Sequence, residues 1–365
     1  MVNKRECTWL LFGVLSLLEA QQVWASEIEG SRIYRSAYYL GRGDTGIAAA
    51  DDHEAIFYNP AGLARGKGLY KETVFASPTL VISNDTKDLA RKYLVEEDNS
   101  ASTLREHVGK NQHVELNNFS GIVFRRAALG AMVSSANNVL LYKSPENRAV
   151  EVLDADSTTN VAGTFSMAEG FFNQFLLVGT TIKYVAQTYS EVSVNVIDSS
   201  NISDQLGDSA NQSTYSGLGA DLGMMLQWDG RSPFSLGLTI ENVGGLKLIS
   251  DTEGVNDRSL PQTINAGAAI DTGTKLSRLK FFLDVRDLSN QVSDNFLLKT
   301  HIGGELSFAN FFGMTFGINQ GYPGVGAFVD AVVFRTDIGV YTQEMGSFAG
   351  SRGDTRLYLR LVTGI

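Results

Sequence analysis

The chain has 365 residues, with 30 basic against 40 acidic side chains and a formal net charge of −10, which disfavours nucleic-acid binding through phosphate attraction. Hydrophobic residues make up 43%, and 37 glycines against 6 prolines favour many extended, closely approaching backbones over a helical or disordered chain. Cys7 is the one cysteine, so a disulfide framework and a thiolate zinc site are excluded.

The first 25 residues read as a secretory leader. Lys4 and Arg5 supply the positive start, Trp9 to Leu18 is an apolar run, and Val23-Trp24-Ala25 offers a cleavage site after Ala25. That run is too short to span a bilayer, and no later stretch approaches the roughly 18–20 apolar residues a spanning helix needs. The protein is expected to be exported and not held by a helix.

Gly41 to Ala64 follows, rich in small residues, interrupted by Asp51-Asp52 and ended by Asn59-Pro60-Ala61-Gly62. Alanines beside a turn that proline and glycine force predict a compact, irregular knot. Gly41, Gly43 and Gly46 satisfy G-x-G-x-x-G, but that fingerprint needs a buried strand before it and a full helix after it. Neither is present, and no βαβ alternation follows.

From Leu69 onward, period-two alternation dominates. Leu218, Ala220, Leu222, Met224, Leu226 and Trp228 fall on one face, opposite Gly217, Gly219, Asp221, Gly223 and Gln227. After a tight turn, Phe234, Leu236, Leu238 and Ile240 resume the pattern, with Trp228 and Phe234 flanking the turn like an interfacial girdle. Similar rows run through 264–270, 279–285, 302–308, 312–318 and 357–365.

Segments beginning near Thr73, Glu115, Ala128, Thr158, Gln174, Ser213, Phe234, Thr263, Ser277, Leu297, Phe312, Gly324, Thr336 and Asp354 predict about fourteen strands, with twelve as the alternative. Short turns near Arg125, Phe171, Asp229, Thr274, Ala309 and Arg335 alternate with long loops at Asn84–Gln112, Ser144–Ser157, Tyr189–Gln212 and Gly244–Pro261. The fold class is therefore all-β, a transmembrane antiparallel up-and-down β-barrel. It must close, because lipid satisfies no open strand edge.

Residues 41–64 resemble the N-terminal plug of the FadL-like outer-membrane barrels, a group that includes the PorV-type secretion barrels. The resemblance implies a plug over residues 26–68, inside a barrel formed by 69–365, in the outer membrane of a Gram-negative bacterium. Gly41, Gly43, Gly46, Asp51, Asp52, Asn59, Pro60, Ala61 and Gly62 carry the plug motif. It implies transport of hydrophobic compounds, fatty-acid-like or aromatic, with plug rearrangement or lateral exit. The alternative is a PorV-type barrel acting as a structural or secretion-system component, without small-molecule transport. Expected partners are outer-membrane lipids, a hydrophobic small-molecule ligand, and a secretion or surface-protein partner.

In the first long loop, Leu89, Arg91, Tyr93 and Leu94 combine apolar groups with a cation and form a candidate landing site for a fatty-acid-like anion. Leu246, Leu248 and Ile249 add apolar surface in a later loop. Lys299, His301 and Glu305 share the polar face of one strand and predict a lumen salt-bridge network. No G-x-S-x-G or H-E-x-x-H occurs, and His53, His107, His113 and His301 lack metal-ligand spacing. No catalytic residue, metal or cofactor is expected. An apolar pocket reaching Asn59 would favour transport; a sealed polar lumen would favour partner docking.

Overall fold

A computed structural model describes residues 30–365, apart from 66–67, 69, 95, 97–105, 144–150, 196–211, 229, 231–232, 275, 310 and 332. The leader expected over residues 1–25 lies outside the described residues.

Fourteen antiparallel strands form the wall. Strand β1 is Tyr70–Ala76 continued by Thr79–Ser83, β2 is Asn111–Phe124, β3 is Ala127–Lys143 and β4 is Glu151–Phe171. Next come β5 (Leu176–Asn195), β6 (Gln212–Trp228), β7 (Phe234–Glu241 continued by Leu246–Ser250) and β8 (Arg258–Leu260 continued by Thr263–Gly273). The wall ends with β9 (Ser277–Val285), β10 (Thr300–Phe308), β11 (Phe312–Asn319), β12 (Tyr322–Ala331), β13 (Phe334–Glu344) and β14 (Gly353–Gly364). Strand β14 pairs back onto β1, with Leu359 opposite Leu80 and Val74 opposite Gly364, so the sheet closes.

Three strands are interrupted, each for a local reason. Pro78 and Pro261 have no N–H to give the ladder. In β7, Asn242, Gly244 and Gly245 adopt φ values of 52°, 76° and 82°, outside the strand region.

The alternation sorts the two faces as expected. Leu218, Leu222, Met224 and Trp228 point outward and are exposed, while Asp221, Gly223 and Met225 point into the bore and are buried. At the short-turn end, Phe175 packs on Trp228 at 5.2 Å, Trp228 on Phe234 at 5.6 Å, and Phe308 on Phe312 at 5.0 Å between ring centroids. These rings form an aromatic girdle at one membrane interface. Leu222→Arg, near the middle of the apolar row, is expected to cost about 2–4 kcal/mol. Unfolding from lipid vesicles checks this; an unchanged midpoint would mean that Leu222 does not face hydrocarbon.

Two loops are shorter than the sequence suggests. Strands β4 and β5 continue through Glu151–Ser157 and Tyr189–Asn195, paired as Asp154–Ser193 and Asp156–Glu191. A spanning strand needs about 9–11 residues, so these longer strands project beyond the hydrocarbon. There the outward face no longer meets lipid, while Ala155, Ser190 and Val192 stay buried, and the apolar alternation of the sequence weakens. The hairpin at 246–260 also departs from expectation. Leu246 and Leu248 are fully buried inside the wall, whereas Ile249 is exposed.

Helix α1 (Ala37–Leu40), helix α2 (Ala55–Tyr58) and a 3-10 turn (Pro60–Ala64) belong to the segment before the barrel. Helix α3 (Asn84–Leu94) follows β1, and α4 (Phe296–Lys299) precedes β10. No described helix is long and apolar enough to cross a membrane.

Candidate functional site

Residues 31–65 run down the bore. Ser31 and Arg32 lie beside Ser293 and Leu298 of the 286–299 loop, and Arg65 reaches Gln227 and Ser235 near the short-turn mouth. Tyr34 stacks on Phe57 at 4.3 Å, Tyr39 meets Tyr58 at 4.6 Å, and Tyr38 meets Phe328 of β12 at 5.7 Å.

The segment approaches the wall backbone more closely than any side chain but that of glycine permits. A Cβ at Gly223 would lie 2.2 Å from Asn59 Oδ1, at Gly237 2.3 Å from the Ile47 carbonyl, and at Gly303 2.1 Å from the Arg42 carbonyl. Others at Gly179 and Gly317 would fall 2.4 Å from Pro60 C and Gly43 N. Gly179 pairs with Gly223, Gly237 with Gly267, and Gly303 with Gly317, so these glycines form a belt across neighbouring strands. The belt accounts for part of the high glycine content.

The glycines of the segment itself have steric reasons too. Gly43 has φ +77° and sits against the Ile302 carbonyl, Gly41 against the Tyr358 hydroxyl, Gly46 between the Tyr39 and Tyr58 rings, and Gly62 against the Ala50 carbonyl. Asn59 is buried; its Oδ1 accepts from Ala61 N at 3.1 Å, and its Nδ2 donates to Ile47 O at 2.7 Å and Met224 O at 3.2 Å. It therefore caps the 3-10 turn that Pro60 starts, and also ties that turn to β6. Asp51 is exposed, and Asp52 accepts from Glu54 N at 2.9 Å.

Buried charges reinforce the contact. Asp284 of β9 accepts from Gly46 N at 2.7 Å and Ile47 N at 3.0 Å. Arg42 pairs with Glu305 at 3.1 Å, and Arg360 of β14 holds both Glu54 at 2.5 Å and Asp337 at 2.9 Å. Asp44 lies near Arg32 at 3.1 Å and Arg35 at 3.6 Å, with Arg286 at 3.7 Å. Burial raises the Asp44 pKa, but Arg286, Arg32 and Arg35 outweigh it and hold this carboxyl well below the usual range.

Lys299, His301 and Glu305 do not act as one group. His301 Nδ1 lies 3.0 Å from the Gly43 carbonyl, Glu305 takes Arg42, Lys280 and Tyr38, and Lys299 turns to Asn290. Asp284, and Arg360 through Glu54 of the segment, which the sequence reading did not single out, bind the segment more directly. In α3, Leu89 is half-buried and Arg91 is exposed, pairing with Glu96 at 3.4 Å; Tyr93 and Leu94 end the helix.

His53 gives the site a pH dependence. Burial lowers its pKa, but the Glu72 carboxylate 3.1 Å away, with Glu54 and Asp52, raises it to about 9. Its ion pair therefore contributes stability fully below its ordinary value of 6.5 and loses it as pH rises through about 9. Thermal unfolding of the barrel is expected at lower temperature at pH 9.5 than at pH 6.5, with His53→Gln flattening the difference. An equal difference in that variant would assign the effect to another group.

Charged side chains line cavities at both ends of the segment. One of about 820 Å³ opens at the short-turn mouth between Arg42, Asp52, Arg278 and Asp330, and one of about 100 Å³ lies above the segment beside Arg35, Asn160 and Arg258. Asn59 lines neither.

A closed antiparallel barrel with an apolar outer band and short turns at one end is an outer-membrane protein. The chain is similar to the Ralstonia pickettii toluene transporter TbuX, with 11% identity and a TM-score of 0.49 over 90% of this chain and 96% of that one. It is also similar to the Pseudomonas putida toluene transporter TodX, with 10% identity and a TM-score of 0.47 over 90% and 96%. A third similar structure is a Pseudomonas aeruginosa FadL homologue, with 11% identity and a TM-score of 0.40 over 90% and 96%. No curated protein matches the sequence. The family described as "F plasmid transfer operon, TraF, protein" matches residues 114–312, more than half of the chain. By that match, the chain belongs to the family of F plasmid transfer operon TraF proteins.

Proposed function

We propose that the protein is an outer-membrane barrel closed at rest, which passes hydrophobic compounds when its N-terminal segment rearranges or a lateral exit opens. On this reading residues 1–25 are a leader, 26–68 a plug and 69–365 the barrel. The observation that carries it is the glycine belt, where residues 42–60 lie within Cβ-excluding distance of the wall. A solute crossing the bore has to move that segment. Helix α3, with Leu89, Arg91, Tyr93 and Leu94, would receive the compound at the outer face. The cargo class rests on the resemblance of residues 41–64 to FadL-like plugs.

Two observations favour a second reading, a component of a transfer or secretion apparatus. The family description refers to a transfer operon. The cavity of about 820 Å³ at the short-turn mouth is mainly polar, and Asn59 does not line it. Uptake of labelled long-chain fatty acids and aromatic hydrocarbons, with and without the gene, separates the readings. Transport requires lower uptake of at least one compound without the gene. Unchanged uptake of all of them would remove that reading and leave the second.

A further inference from the structure

Three arginines that line the cavity of about 820 Å³ at the short-turn mouth, Arg42, Arg125 and Arg335, keep a buried N–H without a partner among the described residues, and Arg42 and Arg335 also share an aromatic neighbour. Arg42, from the N-terminal segment, is only 3% exposed. Its Nε donates to the Thr45 carbonyl at 2.9 Å and its Nη1 to Glu305 at 3.1 Å, while Nη2 has no partner among the described residues. Arg335, from β13, holds Asp337 through Nε at 2.9 Å and lies 3.5 Å from Asp330 through Nη1; its Nη2 is also buried without a partner among the described residues.

One ring brings these two groups together. The guanidinium carbons of Arg42 and Arg335 lie 5.0 Å and 4.1 Å from the centroid of Tyr38. Arg42 is also stacked over Tyr39 at 3.7 Å and Phe282 at 4.3 Å, and Arg335 over Phe328 at 4.3 Å. Aromatic faces fix both planar groups while leaving an N–H on each for another acceptor. Glu305 does not depend on Arg42 alone, because Lys280 reaches it at 2.9 Å and Tyr38 donates to it.

We propose that this cavity binds an anion, a carboxylate or a phosphate, that enters from the short-turn mouth and bridges Arg42 of the segment to Arg335 of the wall. Guanidinium N–H groups suit such oxygens in charge and in fork geometry. The ligand would touch the segment and the wall together, so it binds the closed barrel and stabilises it by mass action. The site then latches the segment from the periplasmic side. This proposal does not depend on which cargo, if any, crosses the barrel.

The test uses the full chain purified in detergent, with thermal unfolding read at constant ionic strength against inorganic phosphate, acetate and octanoate. The expected result is a saturable rise in the unfolding temperature with phosphate or octanoate. Apparent affinity should fall by about tenfold or more in Arg42→Met and Arg335→Met, and hold in Arg126→Met, whose partner Glu169 lies outside the cavity. Arg335→Lys keeps the charge without the fork and should bind between the two. If Arg42→Met does not fold, the two Arg335 variants decide the matter. Octanoate binding more tightly than acetate would assign an amphiphile, and phosphate binding would assign a headgroup or free phosphate. No saturable rise with any probe, or an equal rise in Arg335→Met, would overturn the proposal.

Discussion

Deleting residues 41–64 is expected to turn a silent protein into an ion-conducting one. Eight-stranded barrels are filled by their own side chains, and barrels of about 16–18 strands leave an aqueous channel. Fourteen strands lie between these cases, and here the N-terminal segment occupies the space. Planar-bilayer conductance should rise by about tenfold or more over the intact chain once that segment is gone. Single substitutions give a finer version. Gly303→Leu and Gly237→Val would drive side chains into the Arg42 and Ile47 carbonyls and should raise conductance, whereas the Cβ of Gly163→Val would meet nothing within 4 Å and should not. A deletion variant as silent as the intact chain would mean that these residues do not block the bore.

The second large effect concerns Arg360. Its side chain is almost fully buried and joins Glu54 of the segment to Asp337 of the wall, both also buried. Breaking a buried ion pair from one side leaves the other charge without compensation and costs about 3–5 kcal/mol. Arg360→Met should therefore lower the unfolding midpoint strongly. Asp337 keeps Arg335 at 2.9 Å, so the stranded charge is mainly that of Glu54, which retains Ser36 and Tyr34 as donors. Glu54→Gln leaves Arg360 its bond to Asp337 and should cost less, about 1–3 kcal/mol. Combined with Arg360→Met it should recover part of the loss, because the stranded charge disappears. Additive losses in the double variant would contradict the pairing.

Much of the wall was legible in the sequence because lipid imposes a strict period. Rows such as Leu218, Leu222 and Trp228 reveal the outer face without knowledge of any neighbour. The rule weakens where lipid ends, so 151–157 of β4 and 189–195 of β5, where Asp, Glu and Ser are mixed with valines, read as loops although they pair as strands. The bore was less legible. An inward glycine such as Gly237 looks the same in sequence whether it faces water or the Ile47 carbonyl. Glu54 and Arg360 lie 306 residues apart, and Asp284 lies 238 from Gly46, so both partnerships depend on closure of the barrel. Asn59 and Pro60 could be read because the turn they form is local. Leu246 and Leu248 could not be placed, since the hairpin that carries them folds inward only through Asn242, Gly244 and Gly245.

Hydrogen exchange of the intact barrel in detergent tests most directly whether the segment is part of the built structure. The amides of Gly46 and Ile47, donated to Asp284, and that of Ala61, donated to Asn59, should exchange as slowly as those in β9 and β10. Exchange of residues 42–61 as fast as that of the exposed loop at 251–257 would contradict the account.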